Sequence, residues 1–141
     1  MGRASASIDL DVPPNEVWEL IGGFNSLSDW MPYIVKLEAA EGGRVRHLVN
    51  PKGQVIIERL EKFDQAGRTY SYSIVQAPFP VDDFLATITV RSTDDGKTSH
   101  VEWDATYTPK DMNEEEAHKH FLGIFKSGLT ALTNRFATIG T

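Results

Sequence analysis

Apolar positions along the chain change their period near residue 113. From there on, Phe121, Phe125, Leu129, Leu132 and Phe136 recur at spacings of three and four in a segment free of proline. Such spacing sets the five side chains on one face of a helix running from Glu114 to Ala137. At about 24 residues and 1.5 Å per residue that helix is about 36 Å long, enough to cross a whole sheet. A helix laid over a curved sheet tends to leave a hollow between the two.

Upstream the period is two. Ala4, Ala6, Ile8, Leu10 and Val12 share one side of a strand over 4–12, which Pro13-Pro14 ends. Asn15 is placed to cap a short helix from Glu16 to Ile21, with Val17, Trp18, Leu20 and Ile21 as its apolar residues and Gly22-Gly23 as its stop. A second short helix or turn covers Asn25 to Trp30 and closes against Pro32. Strands follow at about 34–39, 43–49, 54–63, 68–76, 82–93 and 98–108. The prediction is an α+β chain: an antiparallel sheet of about seven strands around a long C-terminal helix, with two short helices after the first strand. Its 141 residues read as one domain, 1–141.

Two turns set register. Asp95-Gly96 is a favoured type I′ hairpin pair. With Asp94 paired to Lys97, Val90 lies opposite Val101, Ile88 opposite Trp103, Ala86 opposite Ala105 and Phe84 opposite Tyr107. The other face carries Thr87, Thr89, Arg91, His100, Glu102 and Asp104, so one side is apolar and the other polar. Asn50-Pro51-Lys52-Gly53 reads as a type I turn with glycine in the left-handed position of a G1 bulge. Asn50 then pairs with Gln54, Leu48 with Ile56, and Arg46 with Glu58. On pattern alone the opposite face, holding Val45, Val49, Val55 and Ile57, is the more apolar one.

Composition narrows the chemistry. Cysteine is absent, which excludes disulfides, thiolate metal sites and a cysteine nucleophile. Twenty acidic against fourteen basic residues give a net charge of −6, and no basic stripe offsets it, so nucleic acid is not an expected partner. No run approaches the ~18 apolar residues of a membrane span, and the N-terminus has no signal-type stretch, so a cytoplasmic location is expected. The four histidines lack ligand spacing, since His118 and His120 diverge on a helix and His47 and His100 stand apart. No metal is expected. Gly22-Gly23 and Gly42-Gly43 are turn glycines without the lysine or spacing of a phosphate loop. Ser99 and Ser127 lack the histidine and acid of a serine hydrolase.

Strand, two short helices, six strands and a long helix is the order of the helix-grip fold. The segments VPPNEVWELIGGF (12–24), LSDWMP (27–32), EGGRVRHL (41–48), IERLEKFD (57–64), TYSYSI (69–74), APFPVDDFLATI (77–88) and VEWDATY (101–107) carry a closer likeness. Over nearly its whole length the chain resembles the polyketide cyclase/dehydrase-like members of the START and birch-pollen-allergen superfamily. It is also similar to the plant lachrymatory factor synthases, which rearrange a small sulfenic acid with an arginine and a glutamate in the cavity. Arg46 and Glu58 match that pair, and Phe84 stands where those enzymes have a tyrosine.

The resemblance implies a small hydrophobic ligand, polyketide-like, aromatic or lipid, in an internal cavity, with no cofactor, in a monomer or weak homodimer. Cyclase, dehydratase or isomerase chemistry is one outcome. A non-catalytic carrier or sensor, moving at the loops near Trp30 and Pro78-Phe79-Pro80, is the other, and a module with a filled core is a third. In the catalytic reading Arg46 is the electrophilic or oxyanion partner, Glu58 moves the proton and Tyr72 assists. The competing reading of Arg46 and Glu58 is a cross-strand salt bridge in water. Trp30, Tyr33, Phe79, Phe84, Trp103, Phe121 and Phe125 are the candidate ligand contacts, against the plainer reading of a packed core.

Overall fold

In the computed structural model, residues 2–79, 81–110 and 112–139 are described, the last three as backbone only. Pro80, in the loop singled out above, lies outside them. Strand β1 (Gly2–Leu10) is followed by helix α1 (Pro14–Ile21), a 3₁₀ segment (Phe24–Asp29), and strands β2 (Lys36–Ala40), β3 (Val45–Val49), β4 (Val55–Asp64), β5 (Thr69–Gln76), β6 (Val81–Thr93) and β7 (Thr98–Pro109). Helix α2 (Glu114–Ile139) closes the chain. The strands form one antiparallel sheet in the order β1-β7-β6-β5-β4-β3-β2. This is the helix-grip arrangement.

The apolar stripe of α2 does what its spacing requires. Phe121, Phe125, Leu129, Leu132 and Phe136 are all buried, each worth about 1.5–3 kcal/mol relative to an exposed side chain. The Phe125 ring stacks on Trp103 of β7 at 4.6 Å, and Phe121 meets Phe84 of β6 at 5.0 Å. Gly128 permits this approach, because a Cβ there would fall 2.6 Å from Met31 Sδ and 2.9 Å from the Trp103 ring. At its start α2 is capped by Asn113, whose Oδ1 accepts the Glu116 N–H at 2.8 Å while Glu116 Oε1 accepts from Asn113 Nδ2.

Helix α1 starts two residues before the expected point, with Pro14 in the first turn, and no side chain caps it. Proline fits there because its missing N–H is unpaired in any helix start. Asn15, expected as the cap, accepts a hydrogen bond from Arg68 Nε instead.

Both turns set register as expected near the loops. Val90 faces Val101, Ile88 faces Trp103 and Ala86 faces Ala105. Asp95 and Gly96 both take positive φ, as a type I′ turn demands. Further along, the β6–β7 ladder slips between Asp82 and Leu85, with Asp83 at φ 52°. Phe84 sits in that bulge rather than in register with Tyr107, although the two rings still stack at 6.4 Å. The Asn50–Gly53 turn closes through Asn50 N–H to Gln54 O and Gly53 N–H to Asn50 O, with Gly53 at φ 79°. It pairs Leu48 with Ile56 and Arg46 with Glu58.

The more apolar face of β3 and β4 is not the inner one. Arg46, Leu48, Ile56 and Glu58 are buried, while of the opposite set Val55 is exposed, Val49 and Ile57 are only half-buried, and Val45 alone is buried. The pattern misleads because the interior supplies partners for the two charges, and burial follows those partners rather than mean polarity.

Candidate functional site

Arg46 is held by hydrogen bonds from Nε and Nη1, while its buried Nη2 makes an ion-pair contact without a hydrogen bond. Its Nε donates to Glu58 Oε1 at 2.9 Å, its Nη1 donates to the Phe24 carbonyl at the head of the 3₁₀ segment, and its Nη2 lies 2.8 Å from the same Oε1. The guanidinium carbon stands 4.0 Å over the Phe24 ring and 4.7 Å from that of Tyr72. Burial alone would lower the pKa of Arg46, but Glu58, and behind it Tyr70 and Tyr72, reverse this and leave it above its ordinary value. Arg46 is therefore a permanent cation sealed from water.

Glu58 is the other half. Both close approaches of the guanidinium fall on Oε1, and Oε2 has no hydrogen bond among the described residues. Burial pushes its pKa up and Arg46 pulls it down, with burial the stronger, so the carboxyl sits above the usual glutamate range.

Beyond Glu58 lies a small chamber of about 40 Å³ between sheet and helix. Its walls include Glu58, Tyr72, Phe84, Trp103, Phe121 and Phe125. The Tyr72 hydroxyl accepts a hydrogen bond from Trp103 Nε1 at 3.1 Å, and no acceptor for its own proton is found among the described residues. Burial, and after it the Glu58 charge, hold that phenol protonated well past its ordinary range. Tyr72 and Glu58 thus line one apolar space.

Most of the expected hollow is filled by side chains. At about 40 Å³ the chamber has room for about two waters and no more. A larger cleft of about 380 Å³ opens outside it, lined by Tyr33, Asn50, Lys52, Phe79, Met112 and His120 among others. Tyr33 and Phe79 line both spaces and form the partition between them.

Of the residues singled out in the sequence, Glu58, Tyr72, Tyr33, Phe79, Phe84, Trp103, Phe121 and Phe125 come together around the chamber. Arg46 does not reach it and stands behind Glu58. Trp30 does not line it either, packing against Trp103 at 5.6 Å and beside Gly128. Apart from Tyr33 and Phe79, the outer cleft is lined by residues that the sequence pattern does not mark as ligand contacts, His120 above all. Its place one position before Phe121, beside the buried stripe of α2, is the signal that could have found it.

Among the described residues no three His, Asp or Glu side chains converge as a metal site, and no helix is long and apolar enough to cross a membrane.

Known proteins place the chain. No functionally curated protein matches it. Among solved structures it is similar to the protein XoxI from Bacillus cereus, with 49% identity and a TM-score of 0.97 over 100% of this chain and 99% of that one. A protein from Bacillus thuringiensis is 48% identical, with a TM-score of 0.93 over 96% and 99% of the two chains. The Zhui aromatase/cyclase from Streptomyces sp. R1128 shares the fold at 17% identity, with a TM-score of 0.72 over 94% and 88%. The family model for polyketide cyclase / dehydrase and lipid transport matches residues 1–137, and the chain belongs to that family.

Proposed function

We propose that the protein binds a small hydrophobic molecule carrying a neutral hydrogen-bonding head, and that Glu58 moves a proton on that head. The observation that carries this reading is the split environment of one carboxyl group: Oε1 is clamped by Arg46, Oε2 has no hydrogen bond among the described residues, and Glu58 lines an apolar chamber. The ligand body lies in the outer cleft, and its head passes the Tyr33–Phe79 partition to reach Glu58 and Tyr72.

In this scheme Glu58 takes a proton from carbon beside a carbonyl while the Tyr72 hydroxyl donates to the carbonyl oxygen. Returning the proton to another carbon gives an isomerisation; in a cyclisation the enolate carbon instead bonds to a second carbonyl carbon of the same molecule, whose π bond opens, and Glu58 returns the proton to that oxygen. Delivering it to a departing hydroxyl releases water. None of these needs an oxidant or a reductant. Arg46 is a positioning residue here, fixing the angle and pKa of Glu58 without touching the ligand, in place of the oxyanion role expected from sequence.

The small chamber favours one other reading. Entry requires Tyr33 and Phe79 to move apart, so binding is coupled to a change of shape at the mouth, as a carrier or sensor needs. Native mass spectrometry of protein from its own host, followed by assays on the co-purified molecule, separates the two. For an enzyme, Glu58→Gln abolishes turnover and leaves affinity within about threefold, since the amide keeps the shape but carries no proton. A carrier binds the molecule equally well and converts none of it. Protein that holds no small molecule and takes up no hydrophobic probe overturns both.

A further inference from the structure

The outer cleft contains two polar groups that the proton-transfer scheme does not use. Lys52 stands on the Asn50–Gly53 turn, a platform made rigid by Asn50. The Asn50 Oδ1 accepts the backbone N–H groups of Lys52 and Gln54 at 3.1 and 2.9 Å, and its Nδ2 donates to the Tyr33 hydroxyl and to Gln54 Oε1. The Lys52 ammonium has no ion-pair partner among the described residues. Across the cleft, on α2, His120 Nε2 is buried without a hydrogen-bond partner. Its ring is fixed against Phe79 at 4.6 Å and Phe121 at 5.1 Å. Burial, with the Lys52 charge behind it, holds this imidazole below its ordinary pKa. An unpaired cation and an unsatisfied ring nitrogen therefore line one cleft, and with the neutral ring in its Nε2–H tautomer an anion is the group that accepts from both.

The inner end has the opposite character. The charge of Arg46 is consumed by Glu58, so the chamber offers no surplus positive charge and would set an incoming acid against a carboxyl. A ligand with one acidic end can therefore lie in only one direction. We propose that the outer cleft is an organic-acid site, in which Lys52 and His120 Nε2 hold the anionic end of an amphipathic ligand whose neutral end points toward Glu58. This rests on the ligand-binding reading above and adds to it the substrate class and the orientation. In a chain of net charge −6, a bare ammonium at the mouth also draws anions toward the cleft.

Two fluorescent probes with the same aromatic body test it: 8-anilinonaphthalene-1-sulfonate, which carries an acid, and N-phenyl-1-naphthylamine, which does not. Titration of the wild type, Lys52→Met and His120→Phe should show each substitution weakening the sulfonate probe by about tenfold. The neutral probe should stay within about twofold, which also reports an intact cleft. Inorganic phosphate should leave the sulfonate probe bound. Unchanged sulfonate binding, a parallel loss of both probes, or displacement by phosphate alone would overturn the organic-acid assignment while leaving the ligand-binding reading standing. A wild type that takes up neither probe removes that reading, and this one with it.

Discussion

Two arginine–glutamate pairs bridge neighbouring antiparallel strands of this sheet. Arg46 and Glu58 join β3 to β4 on the inner face, with an N–O distance of 2.8 Å and side chains 0% and 10% exposed. Arg91 and Glu102 join β6 to β7 on the outer face at 3.3 Å, with side chains 64% and 33% exposed. Water screens the outer pair, and pairs of that kind contribute about 0.2–1 kcal/mol. The inner pair costs several kcal/mol per ion in lost hydration, offset by the Phe24 carbonyl, the surrounding rings and the partner charge. A buried pair is thus poor value as a structural device. Its placement beside an apolar chamber is what the proposed proton transfer would use.

The largest effect should come from breaking the inner pair. Arg46→Met leaves Glu58 buried without its counter-charge and should cost about 3–5 kcal/mol in urea denaturation. Adding Glu58→Leu should recover most of that loss, because the two apolar residues no longer need hydration. A single substitution that costs no more than one at the outer pair would erase the distinction between the two.

A smaller effect should appear with pH. Glu58 binds its proton more tightly folded than unfolded, since its pKa is raised by burial. Its contribution to stability is therefore complete below the unfolded value of about 4.3 and declines as pH rises through the folded one. Relative to Glu58→Gln, the wild type should lose stability steadily on going upward from about pH 4. A difference that grows in the wild type's favour would show that the Arg46 attraction outweighs burial.

The smallest effect belongs to the outer face. Arg91→Ala should change stability by no more than about 0.5 kcal/mol, and should leave probe binding unaltered. Differential scanning calorimetry suffices to see it.

Local rules carried much of the architecture. The three- and four-residue spacing of Phe121 to Phe136 specifies α2, Asp95-Gly96 specifies the β6–β7 register near the turn, and Asn50–Gly53 places Arg46 opposite Glu58. What those rules could not say was which way the Arg46–Glu58 pair faced. Val45, Val49, Val55 and Ile57 read as the inner set, although only Val45 is buried, because strand pattern ranks polarity and knows nothing of the Phe24 carbonyl that accepts a hydrogen bond from Arg46 Nη1. The bulge at Asp83, which re-aims Phe84, was hidden for a similar reason, as nothing local marks Asp83 for a positive φ. The role of His120 is not legible from ligand spacing, because the residue that shares the cleft with it, Lys52, is far away in the chain.

The most direct test of the account is the titration of Glu58 itself, followed through its side-chain carboxyl carbon by ¹³C NMR, with and without saturating N-phenyl-1-naphthylamine. A carboxyl facing an apolar chamber should titrate above the ordinary value of about 4.3, and should move higher when the probe displaces water from its free oxygen. A midpoint at or below the ordinary value, unmoved by the probe, would contradict it.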